Sequence, residues 1–337
     1  MRIALIAPYS SGPMRGNIVT VRRVARFLDK AGAATVTLGA DNLSLTEMQS
    51  RLAQFKPDLI QGFHAHYCGI ITRQLAEQMH IPYVITITGS DLHDSLQRNH
   101  PDTVSAIEAA QAIVCFHSGD ADTLTGFFPS LCGKITLVPQ GVEPLLIVER
   151  NDLEIDQASF VLLLPAALRP VKRVEFPIQS LSRLVLIDQT LRLVIAGGVI
   201  DTEYAASIRN LLKDKPFATW LGEVPRERMA DLYERADLVL NCSRSESMPN
   251  SLMEAMAIGR PVLAANIPGN GSLVEHGKNG WLYDEEEDFG RLVLQIREDA
   301  VLREQVGRSA KEYMETKFSP QLEAECYISL YRTLVPA

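Results

Sequence analysis

Strand-length apolar runs alternate with helical patterns along this chain, and they do so twice. In the first half the runs are Arg2–Ala7, Ala34–Leu38, Leu59–Phe63, Tyr83–Thr88, Ala112–Phe116 and Ile135–Pro139. In the second half they are Phe160–Pro165, Arg192–Ala196, Ala218–Leu221, Leu238–Asn241 and Pro261–Ala265. Alternation of this kind predicts parallel sheets covered by helices, so an α/β chain. Its 337 residues suffice for two such domains. Gly141–Gln157 is acidic, aperiodic and contains Pro144, which makes it the predicted linker. Ser319–Leu334 is amphipathic with Pro320 at its start and reads as a closing helix. The expected division is 1–145, 146–318 and 319–337, the last a helix that can pack back on the first domain. Two doubly wound domains aim the C-terminal ends of their strands at a shared crevice, where ligands bind.

Several classes of function are excluded or disfavoured by composition. A net charge of −8 argues against a nucleic-acid binder. No apolar run approaches the ~20 residues of a membrane span, and Met1–Pro8 has too short an apolar core for a signal peptide. The cysteines (68, 115, 132, 242, 326) are scattered and lack Cys-x-x-Cys spacing, as expected of reduced thiols in a cytoplasmic protein. The loop Pro8–Asn17 does not match the Gly-x-Gly-x-x-Gly of a nicotinamide enzyme, and no Walker P-loop occurs.

Chemistry concentrates in Ser243–Ala257. Glu246 and Glu254 stand there with seven residues between them, after a strongly apolar run and at the start of a helical pattern. Backbone N–H groups at such a helix start favour phosphate. A loop acid and a helix acid flanking an anion site suit a ligand with phosphate in the middle and hydroxyls at both ends, such as a nucleotide sugar. Upstream, Arg169 and Lys172 also follow an apolar strand, and fixed cations stabilise a departing diphosphate.

With these residues in hand, the chain resembles the GT-B glycosyltransferases of family 4 (group 1) over nearly its whole length. Leu168-Arg-Pro-Val-Lys172 is similar to the family's Arg…Lys pair, and Trp220-Leu-Gly-Glu-Val-Pro225 to its base-binding loop. Ser243…Glu246…Glu254 is similar to its Glu-x7-Glu motif, and Asn266–Gly280 to the segment that follows. In detail the match is best to the glycosyltransferase 1 domain-containing subgroup. Gly16-Asn17-Ile-Val-Thr, Phe63-His-Ala-His66 and Thr86-Ile-Thr-Gly-Ser-Asp91 fit family positions too, with some likeness to selenosugar synthases. Two departures stand out. The Arg–Lys spacing is shorter than usual, and Thr88 occupies a position where many members carry histidine.

The resemblance implies two Rossmann-like domains facing a central cleft, and a retaining transferase using a UDP- or GDP-sugar and an unidentified acceptor. It implies catalytic roles for Arg169, Lys172 and Glu246. Gly16, Asn17, Gly197, Leu221, Asn250, Ser251, Leu252 and Glu254 are the candidate donor-binding residues. His66 and Asp91 are the acceptor candidates, and His64-Ala-His66 would share one face if the strand continues through them. Asp120-Ala-Asp122 reads as helix capping, so no metal and no cofactor are expected. Arg22, Arg23 and Arg26, with Arg15 just before, form a basic helix face suited to solvent, an anionic acceptor or weak peripheral contact with a membrane. Two other functions share the donor half: selenosugar or thiosugar synthesis, and a module that binds nucleotide sugar without turning it over.

Overall fold

The computed structural model describes residues 1–10, 16–145, 156 and 158–335. Most of the expected linker, and Arg15 with residues 11–14, lie outside these. The chain forms two units, one of residues 1–141 and 317–337 and the other of residues 142–316.

Each unit is built on a six-stranded, all-parallel sheet. In the first, β1 (Arg2–Ala7), β2 (Ala34–Gly39), β3 (Leu59–Phe63), β4 (Tyr83–Thr86), β5 (Ala112–Cys115) and β6 (Ile135–Leu137) lie in the order β2-β1-β3-β4-β5-β6. In the second, β7 (Phe160–Pro165), β8 (Leu191–Ala196), β9 (Ala218–Trp220), β10 (Leu238–Asn241), β11 (Val262–Ala265) and β12 (Trp281–Tyr283) lie in the order β12-β11-β10-β7-β8-β9. Helices connect successive strands, as parallel pairing requires. β12 is the one described strand that the apolar runs did not announce. It is three residues long at a sheet edge, too short to carry a period.

The strands are apolar because both faces of each sheet are covered. In β1, Ile3, Leu5 and Ala7 pack with Val21, Val24 and Tyr327, while Ala4 and Ile6 pack with Leu52 and Leu75 on the opposite face. In the second unit Leu162, Leu164, Leu193, Leu240 and Phe289 share one core.

Pro320–Leu334 is a helix whose start is capped by Ser319 Oγ, and it contacts the helix Gly16–Lys30 within the first unit. There Arg23 clasps Glu323 with two hydrogen bonds of 2.8 and 3.0 Å, with both side chains almost wholly buried. The Tyr331 hydroxyl donates to Gln61, which donates in turn to Thr86 Oγ1 at 2.7 Å. No helix among the described residues is long and apolar enough to cross a membrane.

Candidate functional site

The strand order of the second sheet reverses between β7 and β10, so the loops leaving these two strands are neighbours. Ligands bind at such a switch point in doubly wound sheets. The loop after β7 carries Arg169 and Lys172, and the loop after β10 carries Ser243 and Glu246. A hydrogen bond of 2.9 Å from Arg244 N–H to Val171 O ties the loops together. Lys172 Nζ contacts Glu246 Oε1, with the side chains 16% and 13% exposed. Ser243 Oγ donates to the same oxygen at 2.7 Å. Burial alone would push the Glu246 carboxyl up. The Lys172 ammonium opposes it most strongly, followed by the Ser243 hydroxyl and Arg169, and together they outweigh burial and hold the carboxyl below its ordinary range. Among the described residues Arg169 Nε is buried without a hydrogen-bond partner, a donor open to an anionic ligand or a water.

Helix Asn250–Ala257 begins right after this cluster. Its buried face, Leu252, Met253 and Ala255–Ala257, anchors it in the core, and its N-cap residue, Pro249, has no side-chain acceptor to offer. Asn250, Ser251 and Leu252 thus supply the backbone N–H groups of its first turn. Glu254 lies farther along, 13% exposed, with Arg226 Nη2 at 3.6 Å from Oε1 and the Tyr233 hydroxyl donating to Oε2 at 3.1 Å. Burial, then the neighbouring Glu254, pushes the Tyr233 hydroxyl well up, so it stays a donor. Neither Arg226 nor Tyr233 was legible as a site residue. The only signal was that Arg226 directly follows the loop Trp220–Pro225.

Leu221 is 40% exposed on that loop, and its N–H donates to Ile195 O at 2.9 Å. Gly197 donates to Gly222 O at 2.8 Å and accepts from Trp220 Nε1 at 2.9 Å. A side chain at Gly197 would sit 2.1 Å from Ala166 O, so the close approach it permits is to the end of β7.

The remaining candidates belong to the first unit. Gly16 and Asn17 open the helix Gly16–Lys30. Beside that helix is a cavity of about 740 Å³, lined by Tyr9, Arg22, Arg26, Asp29, Lys30 and Thr37 among others. His64 and His66 are not strand neighbours. β3 ends at Phe63 and a helix starts at Ala65, with His64 between them at a φ of 79° that side chains seldom adopt. His64 Nε2 meets Ser90 Oγ at 2.9 Å, while His66 Nδ1 meets Thr103 Oγ1 at 3.1 Å. Burial pushes the His64 imidazole down, with Asp91 opposing it.

Asp91 is buried and accepts from the N–H groups of Ala65, Thr88 and Gly89 at 2.7, 3.0 and 2.8 Å, joining the ends of β3 and β4. Asp120 stands in the first turn of its helix, but the capping side chain is His117, which accepts from Asp120 N–H. The Asp120 carboxylate meets His93 Nε2 at 3.1 Å instead. Among the described residues no group of three or more His, Cys, Asp or Glu is placed to hold a metal ion.

Residues 147–313 match the family model of the glycosyl transferases group 1. Over 338 aligned residues the chain is 24% identical to glycosyltransferase 1 domain-containing protein 1 of Xenopus tropicalis, covering 95% of this chain and 94% of that one. Among solved structures, the sucrose-phosphate synthase of Thermosynechococcus elongatus superposes with a TM-score of 0.85 at 18% identity, covering 99% and 98% of the two chains. HepE of Anabaena, solved with UDP and glucose, superposes at 0.82 with 16% identity, covering 98% and 99%. Both units with their parallel sheets are thus those of the GT-B fold, and the chain is a glycosyltransferase carrying a group 1 glycosyl transferase domain.

Proposed function

We propose that this transferase moves a sugar, with retention of anomeric configuration, from a UDP- or GDP-sugar to an acceptor bound by its N-terminal unit. The observation that carries this reading is the meeting of Arg169, Lys172 and Glu246 at the β7/β10 switch point, directly before the N-terminus of the helix Asn250–Ala257. HepE, with UDP and glucose bound, supports a nucleotide-sugar donor.

In this account the diphosphate lies against the N–H groups of Asn250, Ser251 and Leu252, with Arg169 and Lys172 over its oxygens. Arg clasps two oxygens and Lys acts as a point charge. Both interactions strengthen as the bond from the anomeric carbon to the β-phosphate oxygen breaks and charge moves onto the diphosphate. Glu246 orients the sugar and faces the positive charge that develops at its anomeric carbon. Glu254 holds the ribose hydroxyls. The acceptor oxygen attacks from the face the diphosphate leaves, and its proton passes to the departing phosphate. Neither His66 nor Asp91 need act as a base, and Asp91 serves the loop geometry through its three backbone bonds. Arg169 and Lys172 supply the charge, so the transfer needs no metal.

Calorimetric titration with a panel of UDP- and GDP-sugars tests the donor. At least one should bind, with binding weakened tenfold or more in Lys172→Ala. If no member of the panel binds the wild-type protein, the reading is wrong. Binding without product under any acceptor would leave the silent-module alternative standing.

A further inference from the structure

Among the described residues, every hydrogen bond that Glu246 receives falls on one oxygen. Lys172 Nζ, Ser243 Oγ and, at a longer 3.4 Å, Asn241 Nδ2 converge on Oε1. Among the described residues no protein group donates to Oε2. Asn241 is the last residue of β10 and is 4% exposed. Its amide has a determined orientation. Oδ1 accepts from Ser243 N–H at 3.0 Å and from Asn270 Nδ2 at 3.3 Å, so the NH2 end must face Glu246. The reverse orientation would set an NH2 against two donors and a carbonyl against a carboxylate.

Asn270 is fully buried and is itself tied to the end of β11, donating to Ala265 O at 2.8 Å. The segment around it seats tightly on the Glu246 loop. A side chain at Gly269 would lie 2.1 Å from Glu246 O and 2.6 Å from Ser247 O.

We infer that Asn241, oriented by Asn270, is a positioning residue for Glu246. It shares Oε1 with Lys172 and Ser243, turns Oε2 outward as the acceptor for a hydroxyl of the donor sugar, and does so without adding charge. The inference rests on the reading that Glu246 faces the sugar. The charged groups that act on Glu246 are Lys172 and Arg169, and Asn241 adds a neutral donor beside them.

Asn241→Asp tests this. It keeps the size and leaves one oxygen to accept from Ser243 and Asn270, but places a second carboxylate oxygen against Oε1. The Glu246 carboxyl, followed by carbon-13 NMR through a pH titration, should then titrate about one unit or more higher than in the wild type. The acid limb of kcat/KM should move with it, while affinity for UDP and GDP without sugar stays within about twofold. An unmoved Glu246 titration would overturn the inference whether or not a donor is found. If no nucleotide sugar binds the wild type, the functional reading fails and the NMR titration still decides the positioning role. Should Asn241→Asp not fold, Asn270→Ala replaces it. A drop of fivefold or more in nucleotide-sugar affinity, with nucleoside-diphosphate affinity held, supports the relay, and unchanged nucleotide-sugar affinity overturns it.

Discussion

Lys172 and Glu246 are each held at their site by the other's charge, and that coupling is measurable in stability. The folded Glu246 carboxyl titrates below its ordinary range. It therefore contributes stability above the unfolded value of about 4.3, which is lost as pH falls through the folded value. Lys172→Ala removes the largest opposing influence to burial, so the carboxyl rises and its ionised form becomes costly. The expected loss at pH 7 is about 1–3 kcal/mol, shrinking toward pH 4, by urea unfolding at both values. Equal losses at both would mean that charge is not the source. At Glu254, substitution by Ala removes the acceptor of the buried Tyr233 hydroxyl as well as the proposed ribose contact. Affinity for free nucleoside diphosphate should fall about tenfold, by calorimetry, with a stability loss of roughly 1–3 kcal/mol. The Glu pair and the Arg169…Lys172 pair were legible because their types and spacings are local in sequence. Tyr233, Arg226, Asn241 and Asn270 were not, because a buried tyrosine or asparagine looks like any core or loop residue until the fold sets its partner.

Among the elements, the single-turn helix Pro268–Gly271 is the one whose backbone the site depends on most closely. Gly269→Ala would force Glu246 and Ser247 away by the overlap described. Activity should fall tenfold or more with only a modest change in melting temperature, since the turn is short and lies at the end of β11 rather than within the sheet. A variant with wild-type kcat/KM would show that the Glu246 loop tolerates displacement. Strand positions were read well from apolar runs because each sheet is covered on both faces, so most strand residues are apolar. The same logic failed at His64-Ala-His66, where a left-handed residue ends β3 and starts a helix. A period-two reading carries no information about that turn.

At the scale of the whole molecule, the chain leaves the first unit after Gly141 and returns at Lys317, and Arg23–Glu323 fastens the returning helix there. Removing one partner strands a buried charge. Glu323→Ala should cost about 3–5 kcal/mol by chemical denaturation, while a double Arg23→Leu, Glu323→Leu variant should recover most of it. Failure of the double variant to recover would assign the loss to packing. The fold class followed from alternation and length. A pair separated by 300 positions had no local signature, since charged residues in an amphipathic helix read as solvent-facing until the helix finds its partner. The most direct measurement is release of nucleoside diphosphate from a panel of UDP- and GDP-sugars in EDTA, with Lys172→Ala and Glu246→Ala beside the wild type. Metal-independent turnover of one donor is expected, with kcat reduced a hundredfold or more in both variants. Turnover that required a divalent cation, or that survived in both variants, would contradict the proposed function.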